Sequence, residues 1–156
     1  DLTSAGDFMQ LDADLKKGCC IDTETMTIHY ASVADFGKFV KKALEERIEQ
    51  RICMISSAMG VSDHVGNITI RKQRSRWASC SHVNNFNFNI RMAALPLKFF
   101  DYIIVHELAH IREKNHSPRF WAIVAKHCNN YMICRKHLKE YWIFCNTNVY
   151  WKALIE

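Results

Sequence analysis

The chain has 156 residues, is 49% hydrophobic and carries a formal net charge of +5, which suits one compact domain with a real core. No apolar run reaches the ~18–20 residues of a membrane span, and no secretory leader pattern opens the chain. Seven cysteines, an odd number scattered without a framework, argue for reduced thiols and a cytoplasmic setting rather than a disulfide scaffold.

The first residue is Asp1, so the chain is expected to be a fragment of a longer product. Residues 1–30 read as a loosely packed lead-in, in which TMTIHY (25–30) predicts one strand. Ser32 followed by Asp35 has the pattern of an N-cap with an acidic third residue and opens a helix to about Met59. Phe36, Phe39, Val40, Leu44, Ile48, Ile52 and Ile55 recur at threes and fours and make one apolar stripe, which Gly60 ends. From Asn67 to Ile90 the period falls to two. NITI and RWASC predict short strands, and NFNFNI (85–90) alternates with Phe86, Phe88 and Ile90 on one face, after an Asn84–Asn85 turn. Pro96 begins a helix to about Glu113, Ser117–Pro118 caps and restarts another, and a last helix covers Tyr131 to Phe144. There are no repeats or linkers, so residues 31–156 are expected to form a single domain. The order of helix, small antiparallel sheet and further helices predicts an α+β fold.

YIIVHELAHIREKNH (102–116) sets ionisable groups inside an apolar run, where burying them costs several kcal/mol unless they find partners. HELAH (106–110) is H-E-x-x-H. On a helix His106 and His110 sit about 40° apart and one turn up, so both imidazoles can reach one cation. Zinc suits two neutral nitrogens, a third protein ligand and an open position. Glu107, beside that face, is placed to take a proton from a zinc-activated water. His116 lies six residues past His110; in a continued helix it would be turned about 240° away. The chain must therefore leave the helix after about Glu113, and Asn115, which tolerates a left-handed turn, fits that exit. Glu113 is seven residues, or about 10 Å of rise, beyond His106 and cannot share its ion. His116 ranks ahead of Glu140 as third ligand.

RKQRSRWASCS, NFNFNIRMAALP and DYIIVHELAHIREKNHSPRFW closely resemble the YgjP-like metallopeptidases, over roughly residues 34–143. The resemblance implies a small zincin-like domain with one zinc held by His106, His110 and His116, Glu107 as general base, and a peptide or protein substrate. The spacing is also similar to that of SprT-like and WLM-type proteases. The chain departs from the family where Ala78 replaces a usual glycine, and in lacking most of the family's basic, strand-rich N-terminal portion. Metzincins share the histidine spacing but place glycine where Glu113 stands.

NFNFN reads either as an upper edge strand pairing with an extended peptide, with Asn87 and Asn89 facing the cleft, or as a half-buried strand with its asparagines in solvent. Cys128, Cys134 and His137 match no common zinc spacing. Cys80 and His82 stand near the sheet end. Trp77, Phe120, Trp121 and Met132 read as core residues. RKQRSR (71–76) supplies the competing function, a nucleic-acid-binding module with a structural or vestigial zinc, although strand alternation would split its charges between two faces.

Overall fold

The computed structural model describes residues 19–22, 27–30, 32–149 and 151–152. The rest of the expected lead-in, residues 1–18 and 23–26, lies outside the described residues, as do 31, 150 and 153–156. Within it are two strands rather than one: β1 (Cys19–Asp22) pairs antiparallel with β2 (Thr27–Tyr30). The ring of Tyr30 stacks on Phe36 at 5.1 Å, which docks this hairpin onto the first helix.

Helix α1 (Val33–Met59) starts where Ser32 accepts the Asp35 N–H. It buries Val40, Leu44, Ile48, Ile52, Ser56 and Met59 along the expected stripe. It stops at Gly60, whose φ of 66° lets its N–H and that of Val61 turn back onto Ser57 and Ser56 carbonyls. After a 3-10 turn at Ser62–His64 come β3 (Ile68–Arg71), β4 (Ala78–Cys80) and β5 (Phe86–Asn89).

The sheet is mixed, not antiparallel as expected. Its order is β3-β5-β4, with β5 antiparallel to β4 but parallel to β3. The cause is the β4–β5 hairpin, turned by Asn84 at φ 60°, which lays β5 between β4 and the earlier β3. NFNFN is thus the central strand and has no free edge for a peptide. Asn89 is fully buried; its Nδ2 donates to the Gln73 and Arg76 carbonyls at 2.9 and 2.7 Å. Asn87 Oδ1 accepts from Thr69 Oγ1 at 2.5 Å. Neither asparagine lines the two cavities beside the histidines, and Asn89 secures a neighbouring loop instead. Ala78 has no positive φ, so alanine sits there without backbone strain.

A 3-10 turn at Ile90–Ala94 leads into α2 (Leu97–Arg112), with Pro96 at its N-cap. Phe99, Phe100, Ile103, Ile104, Val105 and Leu108 are all buried, so α2 is covered nearly all round and forms the spine of the core. Arg51 of α1 grips Asp101 of α2 through two bonds of 2.7 Å. Helices α3 (Pro118–His127) and α4 (Tyr131–Thr147) complete the α+β fold. No described helix is long and apolar enough to cross a membrane.

Candidate metal centre

His106 and His110 project from the same side of α2, with ring centroids 5.2 Å apart. The helix ends at Arg112, and Glu113 leaves it in extended conformation with φ −138° and ψ 108°. Asn115 does not take the expected left-handed conformation, since Asn84 is the only non-glycine with positive φ among the described residues. Other contacts shape the exit. Ser117 N–H bonds the Asn115 carbonyl at 2.8 Å, and Lys114 Nζ reaches Asn84 Oδ1 and the Ser81 carbonyl at 2.5 and 3.3 Å. The Ser117 hydroxyl then accepts the Phe120 N–H, with Pro118 in the first turn, so α3 starts at once.

This return brings His116 back over the helix. Its Nε2 lies 3.0 Å from His106 Nε2, and one nitrogen each of His106, His110 and His116 falls within 4.8 Å of the others. No other such cluster of histidine, cysteine or carboxylate groups occurs among the described residues. Tetrahedral zinc with Zn–N of about 2.0–2.1 Å needs donors about 3.3 Å apart; His106 and His116, at 3.0 Å, are near that spacing, and no pair exceeds 4.8 Å. His110 Nδ1 donates to the Glu113 carbonyl at 3.1 Å, which leaves Nε2 as the free donor atom. His106 Nδ1 is buried without a hydrogen-bond partner.

Burial, followed by the neighbouring imidazoles and Arg135, holds the His106 imidazole down to about 3. His110 is lowered too, chiefly by burial against the opposing Glu113 carbonyl. Both rings are therefore neutral, ligand-ready bases at neutral pH. Behind them Phe120, fully buried, sets its ring 4.5–4.9 Å from all three imidazoles. Trp121 stacks on His116 at 5.7 Å and carries the Arg135 guanidinium 4.4 Å over its own ring. Phe120 is the core residue its sequence predicts and Trp121 packs partly buried against that core; both also wall the rings, which their position just after His116 on a capped helix start signals.

Glu107 is only 6% exposed, and burial pushes its carboxyl up to about 7 against the Arg76 charge and a hydrogen bond from the Cys80 N–H. That bond ties β4 to α2. Bonds from Asn89 N–H to the Trp77 carbonyl and from Ser81 N–H to the Asn85 carbonyl set the ladder phase, so Ala78 and Cys80 turn their backbone groups away from β5. The edge that faces the histidines is β4, not NFNFN. Two cavities meet here. One of about 460 Å³ contains the three histidines, β4 and Lys114; the other, about 540 Å³, lies between Arg76, α2 and α4, and both touch His106 and Glu107.

The remaining candidates do not join the three imidazoles. Glu140 pairs with His137 at 2.9 Å on an exposed face and does not join the imidazole cluster. Cys134 contacts Cys128 without forming a three-ligand group with His137. Cys80 and His82 line the histidine cavity, but the Cys80 thiol bonds the Ser81 carbonyl at 3.4 Å. Met132 is 69% exposed, so it is not a core methionine. RKQRSR is mostly loop: only Arg71 belongs to a strand, while Asn89 and Arg91 hold the Gln73 carbonyl and Asn89 the Arg76 carbonyl.

Among solved structures the chain is similar to the metallopeptidase zymogen abylysin of Pyrococcus abyssi, at 23% identity and a TM-score of 0.50 over 59% of this chain and 93% of that one. It is also similar to the zymogen jannalysin of Methanocaldococcus jannaschii, at 22% identity and a TM-score of 0.49 over 60% and 95%. At such identity the abylysin likeness speaks for the fold alone. No curated protein matches the chain. The YgjP-like, metallopeptidase domain family matches residues 22–141, most of the chain including the entire histidine cluster, and the chain belongs to that family.

Proposed function

We propose that this chain is a zinc metallopeptidase in which His106, His110 and His116 hold one zinc ion and Glu107 is the general base. The observation that carries this reading is the convergence of three imidazoles beside a buried carboxyl that α2 and β4 hold jointly. The donor set fits zinc: two of the rings are biased to the neutral form, and a bond to Glu113 orients His110. When bound, the cation supplies Lewis acidity that makes water a nucleophile near neutral pH and polarises a carbonyl.

The chain's own residues do the rest. The β4 edge offers outward backbone groups at Ala78 for an extended peptide, which would lie across the histidines. Glu107 takes a proton from the attacking water onto its carboxylate and returns it to the departing amine. Burial raises its affinity for that proton, while the Cys80 N–H keeps the carboxylate aimed. We further propose that residues 31–156 form the catalytic domain with the β1–β2 hairpin appended, and that the unpaired thiols suit a cytoplasmic setting.

The test is metal content by mass spectrometry on protein purified without a His-tag or added metal, followed by cleavage of a mixed peptide library. We expect about one zinc per chain and cleavage abolished by chelator and restored by zinc. Zinc-loaded protein that cleaves no peptide would remove the peptidase reading.

A further inference from the structure

Only one of the two cavities that meet at Glu107 contains the complete histidine cluster. The other, of about 540 Å³, has the size of a ligand pocket. Trp77, Tyr102, Ile103, Leu138, Trp142 and Ile143 give it an apolar lining, and Ile143 is 62% exposed at its mouth. Apart from Glu107 at its inner end, its charged side chains are all basic. Arg76 enters from the loop before β4, and Arg135 and Lys139 enter from α4. Arg135 and Lys139 are one helical turn apart on the same face, an arrangement of like charges that weakens a helix unless something else uses it. None of the three has an ion-pair partner among the described residues. The nearby acid, Glu140, is taken by His137, and Glu107 is the only acidic side chain in the lining.

We infer that this cavity receives a bulky apolar side chain of a peptide substrate, and that Arg76, Arg135 and Lys139 bind a carboxylate beside it. The inference rests on the peptidase reading above and specifies its substrate class: peptides with an aromatic or large aliphatic residue followed by an acid. The carboxylate can come from an Asp or Glu side chain or from the peptide's own C-terminus. A nucleic-acid strand fits less well. The cations ring one apolar concavity instead of tracking a backbone, and the indoles are occupied. Trp142 packs edge-on against Trp77 at 5.1 Å and carries the Arg91 guanidinium 5.0 Å over its ring.

The test separates binding from cleavage. Fluorescence anisotropy on zinc-loaded Glu107→Gln and on metal-free wild type would compare labelled peptides containing Phe-Glu, Phe-Gln, Phe-Lys and Gly-Glu. A second set would end in Phe with a free or an amidated C-terminus. At low salt Phe-Glu should bind at least about tenfold more tightly than Phe-Lys, and Gly-Glu should bind weakly. Lys139→Glu changes an exposed side chain with no hydrogen bond or ion pair among the described residues, so it should preserve the fold while abolishing or reversing that preference. Arg135→Gln should weaken it in the same direction. Equal binding of Phe-Glu and Phe-Lys, or a preference that survives Lys139→Glu and Arg135→Gln, overturns the inference. So does a single-stranded oligonucleotide that displaces the peptide and loses affinity in the same variants. The cleavage arm uses zinc-loaded wild type and the same peptides. Cleavage without acidic preference leaves the peptidase reading standing and sinks this one. Selective binding without any cleavage does the opposite.

Discussion

The proposed mechanism requires Glu107 to be buried and to carry charge, and the two demands conflict. Without metal its carboxyl lies near 7 instead of 4.5, mainly through burial. A group whose folded value is raised contributes stability that is complete below the unfolded value and is lost as pH climbs through the folded one. Metal-free wild type should therefore lose stability between about pH 4.5 and 7 through this residue. Glu107→Gln keeps the shape and can accept the Cys80 N–H without ever ionising. Its metal-free melting temperature should match wild type near pH 4.5 and exceed it by several degrees at pH 8; identical curves at both would show that the carboxyl is not strained. The same variant should retain zinc and fold yet lose roughly 10²–10⁴-fold in peptide hydrolysis. Equal cleavage by both proteins would remove Glu107 from the mechanism. The proposed third ligand has its own comparison: His116→Ala should lower zinc affinity by orders of magnitude and Glu140→Ala should leave it nearly intact, as isothermal titration would show. The reverse ranking would move the site towards α4.

The elements that aim these residues are the exit from α2 and the hairpin it leans on. Lys114 ties the exit to the β4–β5 turn, and Gly66 lies against that turn so closely that an added Cβ would come within 2.6–2.7 Å of Asn85 Oδ1 and the Asn84 carbonyl. Gly66→Ala should cost roughly 1–3 kcal/mol in urea unfolding, the usual cost of overpacking. The two serine caps give a sharper contrast. Ser32→Ala and Ser117→Ala each remove an N-cap worth about 1 kcal/mol. Only Ser117 adjoins His116, so only Ser117→Ala should also weaken zinc binding; equal effects on zinc would mean the cap does not position that ring. This scale also divides what was legible. The helices could be read from their stripes and caps, because Ser32, Gly60 and Ser117 act on their own neighbours. The break before His116 followed from geometry alone. The parallel β3–β5 pairing was hidden, since no local signal says which earlier strand a hairpin will join. Asn89 misled for the same reason: alternation assigns it a face, but two carbonyls of a distant loop set its environment.

Across the whole molecule, an ion on the three imidazoles would add a tie between α2 and the segment leading into α3 to the apolar packing they already share. His106 and His110 belong to α2, whereas His116 belongs to the segment that leads into α3, and Phe120 of α3 packs beneath all three rings. An ion held by these rings binds the folded chain and not the unfolded one, so it should raise stability by about RT ln(1 + [Zn]/Kd), near 4 kcal/mol at a thousandfold excess over Kd. For a domain of this size each kcal/mol moves the melting temperature by roughly 2–4 °C, so chelator should lower it by about 8–16 °C under those conditions. The shift should vanish in His110→Ala, whose melting temperature should no longer respond to chelator. Ile48→Val provides the control. Ile48 is fully buried on α1, and trimming it should cost about 0.5–1.5 kcal/mol with and without zinc alike, leaving the gap between the two curves unchanged. A chelator shift that persisted in His110→Ala would place the stabilising ion elsewhere. Its absence in wild type known to contain zinc would mean that the ion occupies the site without bracing α2 against α3.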